Sequence, residues 1–146
     1  MALLPNNVYI ALFVRADPPI PNDFHWALYL PEYASKGTKY HIVNEGVGWI
    51  AAHASETPAG ILKSFLLVGL IRVAAINSQE HLAAKADALL RSHDNRLNDK
   101  EGTTCRTWLL EICEGDMEKL EAVVKDWGNR FADAAVKNVQ PRPVEN

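Results

Sequence analysis

Cys105 is the residue in this chain best placed to act as a nucleophile. It lies in the stretch Thr103 to Cys113, TTCRTWLLEIC, with Trp108, Leu109 and Ile112 following at three, four and seven positions. That spacing predicts a helix with one buried stripe and Cys105 in its first turn. A sulfur there sits at the positive end of the macrodipole, among backbone N–H groups with no intrahelical partner. Such surroundings lower a thiol pKa and favour the reactive thiolate. Read structurally, the same residue is a small core side chain, the commoner fate of a helical cysteine. A base elsewhere in the chain would separate the two readings.

The histidines are His25, His41, His53, His81 and His93. His25 and His41 fall in two neighbouring segments of strand composition, which predict an antiparallel hairpin with a longer loop. If Leu30 pairs near Thr38, Ala27 stands opposite His41, on the face that carries His25. The two imidazoles are then diagonal neighbours, with Cβ atoms roughly 7 Å apart or less. A register shift of one residue would put them on opposite faces. A thiol with two imidazoles supplies an activated nucleophile: the sulfur attacks, one ring takes its proton, and the other orients the first. Asn44 or Glu45, at the end of the same strand, is an alternative orienter. A strand histidine read structurally makes a local hydrogen bond. His53, in a loop, and His81 and His93, on or beside an exposed helix end, are assigned that reading. Cys113 lies roughly 12 Å of helical rise beyond Cys105, too far for a disulfide, and reads as packing.

Zinc is the competing chemistry for two histidines and a cysteine. The sequence has no CxxC, no HExxH and no close Cys/His pair, and phosphate-cradling glycine loops are absent as well. Neither a metal nor a cofactor is expected.

The elements that must position these groups can be read in order. Asn7–Arg15 (NVYIALFVR) is a strand, and the proline-rich Ala16–Asp23 is a loop. Phe24–Leu30 is a strand with His25, Ala27 and Tyr29 on one face and Trp26, Leu28 and Leu30 on the other. Lys39–Asn44 is the next strand, Trp49–Ala52 a short one, and Ala54–Gly60 a loop. Phe65–Ala75 reads as a central strand buried on both faces, although a helix is compatible with so short an apolar run. Asn77 with Glu80 resembles a capping box opening a helix to about Ser92. His93–Gly102 is a polar loop. The Cys105 helix ends near Gly115, and Asp116 caps a last helix whose Met117, Leu120, Val124, Trp127 and Phe131 form one face. Strands first and helices afterwards predict an α+β fold, an antiparallel sheet packed against helices.

The 146 residues suit a single domain, with 1–6 and 139–146 as flexible tails. Apolar residues make up 48% and charged residues 23%, the balance of an ordinary globular protein. A net charge of −3 with no basic block argues against nucleic acid. No apolar run is long enough to span a bilayer, since Lys63, Ser64, Gly69 and Arg72 break the best candidate. Pro5, Asn6 and Asn7 interrupt any leader-like segment. A cytoplasmic protein is expected, and two cysteines do not make a disulfide framework.

The order HWALYL, then YHIVN, then a distant TTCRTWL resembles the circularly permuted papain-like enzymes of the NlpC/P60 type. Two branches are similar. The lecithin–retinol acyltransferase-like group matches best at His25-Trp26-Ala27-Leu28-Tyr29-Leu30 and at His41. The PPPDE group of isopeptidases matches in overall spacing. The resemblance implies a permuted papain-like fold with a Cys–His–His site, Cys105 as nucleophile and His25 as base. It implies acyl transfer on an amide, ester or thioester of a small molecule or peptide, with no cofactor. The acyltransferase-like group usually carries Asn-Cys-Glu-His-Phe at the nucleophile, where this chain has Thr104-Cys105-Arg106-Thr107-Trp108, so substrate class stays open. A non-catalytic module that binds a small molecule or protein on the same fold is the alternative.

Overall fold

The computed structural model describes residues 3–33, 35–44, 46, 48–75, 87–88, 90–99, 104–113 and 117–146. From Val8 onward β1 (Asn7–Val14) carries only apolar and aromatic side chains, which suits a strand covered on both faces. It lies inside a sheet of order β6-β3-β2-β1-β7-β8. β2 (Phe24–Tyr33), β3 (Lys36–Tyr40), β6 (Ala54–Ser55) and β7 (Leu67–Ala75) join by antiparallel pairing, and β8 (Val144–Glu145) runs parallel to β7. A small second sheet pairs β4 (Ile42–Asn44) with β5 (Trp49–Ala51). The fold is α+β with a mostly antiparallel sheet, as the segregation of strands and helices predicts.

Strand alternation sorts the core. Ile10, Leu12 and Val14 of β1 and Trp26, Leu28 and Leu30 of β2 cluster with Trp108, Leu109, Val124 and Trp127. These last come from α2 (Cys105–Cys113) and α3 (Met117–Val136). Tyr9, Ala11, Ala27 and Tyr29, at the alternate positions, form a second cluster with Ile61, Leu67, Leu70 and Val144. Ile61 belongs to α1 (Pro58–Leu62).

The hairpin register is the one expected, with Leu30 opposite Thr38. The strand expected over Lys39–Asn44 differs, because it breaks at His41. β3 stops at Tyr40, and β4 resumes at Ile42 in the other sheet, paired with β5. Ala54–Gly60 is not simply a loop. Ala54–Ser55 pairs with β3, and Thr57 caps α1 by accepting the Gly60 N–H at 3.0 Å, with Pro58 following. Proline and a hydroxyl read as a loop, but they are also the start signals of a helix. Phe65–Ala75 is a strand from Leu67, which disposes of the helix alternative. The helix expected over Asn77–Ser92 lies for the most part outside the described residues.

The two tails are not both free. Leu3 is buried, and the Leu4 amide donates to the Tyr9 hydroxyl at 2.9 Å. At the other end Val144 is buried against the sheet, the Leu70 amide donates to the Pro143 carbonyl at 3.0 Å, and the Tyr9 hydroxyl bonds the Asn146 side chain. The tail offers unpaired backbone to the edge of β7, and pairing there satisfies both. Gly69 makes the approach close: a Cβ at that position would meet the Pro143 carbonyl and the Trp127 ring. Gly69→Ala is therefore expected to destabilise the chain by about 1–3 kcal/mol, the usual range for overpacking. Urea unfolding measures it, and an unchanged midpoint would show that β8 does not hold the edge.

Candidate active site

Cys105 is held in place by a local cap. The Thr104 carbonyl accepts the Trp108 N–H at 3.0 Å, which makes Thr104 the residue before the first turn. Its amide donates to Thr107 Oγ1 at 2.8 Å, and the Thr107 amide donates back to Thr104 Oγ1 at 3.2 Å. This is a capping box with threonine in place of the usual glutamate. Cys105 is thus the first residue of α2, over Trp108 and Leu109, both buried.

The sulfur reaches the backbone of β2. The Leu28–Tyr40 pair is the last between β2 and β3, so Trp26, two residues further along β2, has no strand partner on that side. Its amide donates instead to Cys105 Sγ at 3.5 Å. The Trp26 nitrogen is bonded to the His25 carbonyl carbon, so Sγ stands within about 5 Å of that atom. Cys105 belongs to the helical layer, whereas His25 alternates with Ala27 and Tyr29 of the opposite face. The two sides meet at the stretch of β2 edge that β3 vacates.

His25 and His41 are brought together as expected. His25 Nε2 and His41 Nδ1 are 2.9 Å apart, with ring centroids at 5.1 Å and planes at 74°. The Phe13 ring and the Lys39 ammonium share that face: Phe13 is 6.0 Å from His25, and Lys39 Nζ is 5.5 Å from the Phe13 ring. Asn44 does not orient either ring, because its Oδ1 accepts the Gly46 amide at 2.9 Å in a local turn. Glu45 lies outside the described residues.

The electrostatics favour neutral groups. Burial pushes the His25 pKa down to about 4, helped by the Lys39 and Arg15 charges. Burial likewise holds His41 at about 4, with Lys39, His25 and His53 contributing and a hydrogen bond to the Ala52 backbone opposing. Burial also raises the Cys105 pKa, outweighing the Trp26 amide, the Arg15 charge and the amides of Arg106 and Cys105 itself. The sequence led to the opposite expectation, a thiolate at a helix start. Desolvation of the charged form wins here because the residue is only 4% exposed.

A cleft of about 300 Å³ opens on the thiol, lined by Arg15, Asn22, Asp23, Phe24, Trp26, Thr104, Cys105 and Arg106. Arg15 faces Asp23 at 3.6 Å, and Arg106 pairs with Glu121 of α3. Neither His25 nor His41 lines this cleft. Among the described residues no three His, Cys, Asp or Glu side chains gather into a metal-ligand set. No described helix is long and apolar enough to cross a membrane.

His53, read from the sequence as an ordinary loop histidine, stands against the backbone of His41. Its Nδ1 accepts the His41 amide at 3.0 Å, and its Nε2 bonds Asp94 Oδ1 at 2.8 Å. The spacing of 41 residues to Asp94 follows no sequence rule. The side chain of Cys113 lies outside the described part. Compared with known proteins, the chain matches no family model, no curated protein and no solved structure.

The two depressed histidines make stability depend on pH. The unfolded chain takes up their protons at about 6.5 and the folded one only at about 4. Between those values the unfolded state binds more protons, so stability is complete above 6.5 and drains as pH falls. The thermal midpoint is expected to drop from pH 6.5 to 5, above most of the carboxylate range. His25→Gln should drop less over the same interval; an equal drop would mean that His25 is not held neutral.

Proposed function

We propose that this chain is a cysteine-dependent acyl-transfer enzyme with a circularly permuted papain-like site. The observation that carries the reading is the 2.9 Å His25–His41 hydrogen bond, with Cys105 Sγ on the amide that follows His25. In this reading His25 Nε2 carries the proton and His41 Nδ1 accepts it across the 2.9 Å contact. That leaves the His25 Nδ1 lone pair to serve as the base.

In the proposed reaction Cys105 Sγ attacks a carbonyl carbon while His25 Nδ1 takes the thiol proton. The positive charge that forms on His25 stays on that ring and is stabilised by its Nε2–H bond to His41 Nδ1. The Trp26 amide, which donates to Sγ, and the first-turn amides of α2 are the donors available to the oxyanion. Collapse of the tetrahedral species breaks the bond to the leaving group, which receives the proton from His25. A thioester remains on Cys105. Water, an amine or an alcohol then attacks it, giving up its proton through His25 and restoring the thiol. Because thiol and imidazole both rest neutral, proton transfer accompanies attack and no ion pair precedes it.

A non-catalytic binding module is the second reading. It is favoured by the near-complete burial of Cys105 and by a cleft that excludes both rings.

Treatment with p-nitrophenyl acetate, followed by peptide mass mapping, separates the two. The enzyme reading expects one acetyl group on Cys105 and none in Cys105→Ala. It expects His25→Gln to slow acylation by about 10²–10⁴-fold, the usual share of a general base. The rate should hold steady down to about pH 5 and fall with a midpoint near the His25 value of about 4, because only the neutral ring accepts the proton. Acylation of Cys105 no faster than of Cys113, or a rate indifferent to His25, would leave the binding module as the better account.

A further inference from the structure

We propose that His53 is a positioning residue that registers the Cys105 helix against the histidine pair, with Asp94 as its anchor; this rests on the acyl-transfer reading above. His41 sits where the chain leaves the main sheet for the small one, between β3 and β4. Its backbone N–H has no ladder partner at such a switch, and a buried N–H must find an acceptor. His53 Nδ1 supplies it at 3.0 Å, while the Ala52 amide donates to the His41 carbonyl at 3.0 Å. Both backbone groups of His41 are thereby fixed, and with them the direction in which its ring leaves the chain.

The same imidazole touches the element that carries the nucleophile. It stacks on Trp108, one turn beyond Cys105, with centroids at 6.0 Å and planes at 25°, and Tyr40 closes another side at 5.2 Å. Its side chain is 2% exposed. Because Nδ1 accepts from an amide, the proton must be on Nε2, where Asp94 Oδ1 receives it at 2.8 Å. The carboxylate therefore fixes both the tautomer and the plane of the ring. One rigid ring thus spans from the His41 backbone to the helix that presents the sulfur. A displacement of about 1 Å between nucleophile and base is enough to lower a rate by up to 10²-fold.

The rate of Cys105 alkylation by iodoacetamide, read by peptide mapping across pH 4 to 9, tests this without a known substrate. His53→Phe keeps a stacking ring and removes both hydrogen bonds; Asp94→Ala removes only the anchor; Asp94→Asn keeps an acceptor oxygen. Alkylation at pH 7 is expected to fall roughly tenfold or more in His53→Phe and severalfold in Asp94→Ala, and to recover to within about twofold in Asp94→Asn. Long-range ¹H–¹⁵N spectra should show the single Nε2–H tautomer of His53 becoming a mixture in Asp94→Ala, and the pH profile of alkylation should shift with it, a change that a purely structural role would not bring. Asp94 is partly exposed, so Asp94→Ala decides the matter if His53→Phe fails to fold. Wild-type rates, pH profile and His53 tautomer in folded Asp94→Ala would overturn the proposal alone. A wild-type Cys105 no more reactive than Cys113 would overturn the acyl-transfer reading and this inference with it.

Discussion

The site depends on one short stretch of unpaired strand edge. β3 stops at Tyr40, one residue before His41, and the amide of Trp26 on β2 is left facing outward. An amide at that depth needs an acceptor, and the sulfur at the start of α2 provides one. This bond pins the helix N-terminus to the strand, at the amide that follows His25. Had β3 continued in register, residue 42 would have taken that place and the thiol would have been held in the helical layer, away from the face that carries His25. The break at His41 also turns the chain toward the small sheet and creates the backbone N–H that His53 satisfies.

Burial sets the chemical character of the groups gathered there. Two imidazoles in contact, with an ammonium on the same face, resist becoming imidazolium, and each is held well below the ordinary histidine value. The thiol is likewise kept protonated, although it stands among amides and near Arg15. The result is a pair of neutral imidazoles joined at 2.9 Å. In a partly buried environment a developing charge interacts more strongly with oriented dipoles than it does in water. This suits the proposed reaction, in which charge appears only as the proton moves.

The elements whose identity rests on local periodicity were legible. The alternation in FHWALYL separates Trp26, Leu28 and Leu30 from His25, Ala27 and Tyr29, and the structure keeps that division across the sheet. Trp108 and Leu109 under Cys105, and Val124 and Trp127 on the last helix, fall on the buried faces that their spacing requires. What was not legible is tertiary in origin. Thr57 and Pro58 carry the signals of a loop and of a helix start alike. The tail at Val144 has too few apolar residues to announce a strand, and it becomes one because β7 offers an edge and Gly69 lets the chain approach.

For the candidate site, the sequence by itself determined the cast: one thiol at a helix start and two histidines that share a face of the hairpin if Leu30 pairs with Thr38, which is the register found. Types and spacings suffice for that because helix and strand repeat with fixed periods. The tertiary structure decided how the parts stand to one another. It assigned His41 rather than Asn44 as the partner of His25, since Asn44 turns away into its own bend. It recruited His53 and Asp94, whose only link is through space. It also reversed the expected charge of Cys105: a helix N-terminus acts through nearby dipoles and can be read from sequence, whereas desolvation depends on everything packed around the sulfur.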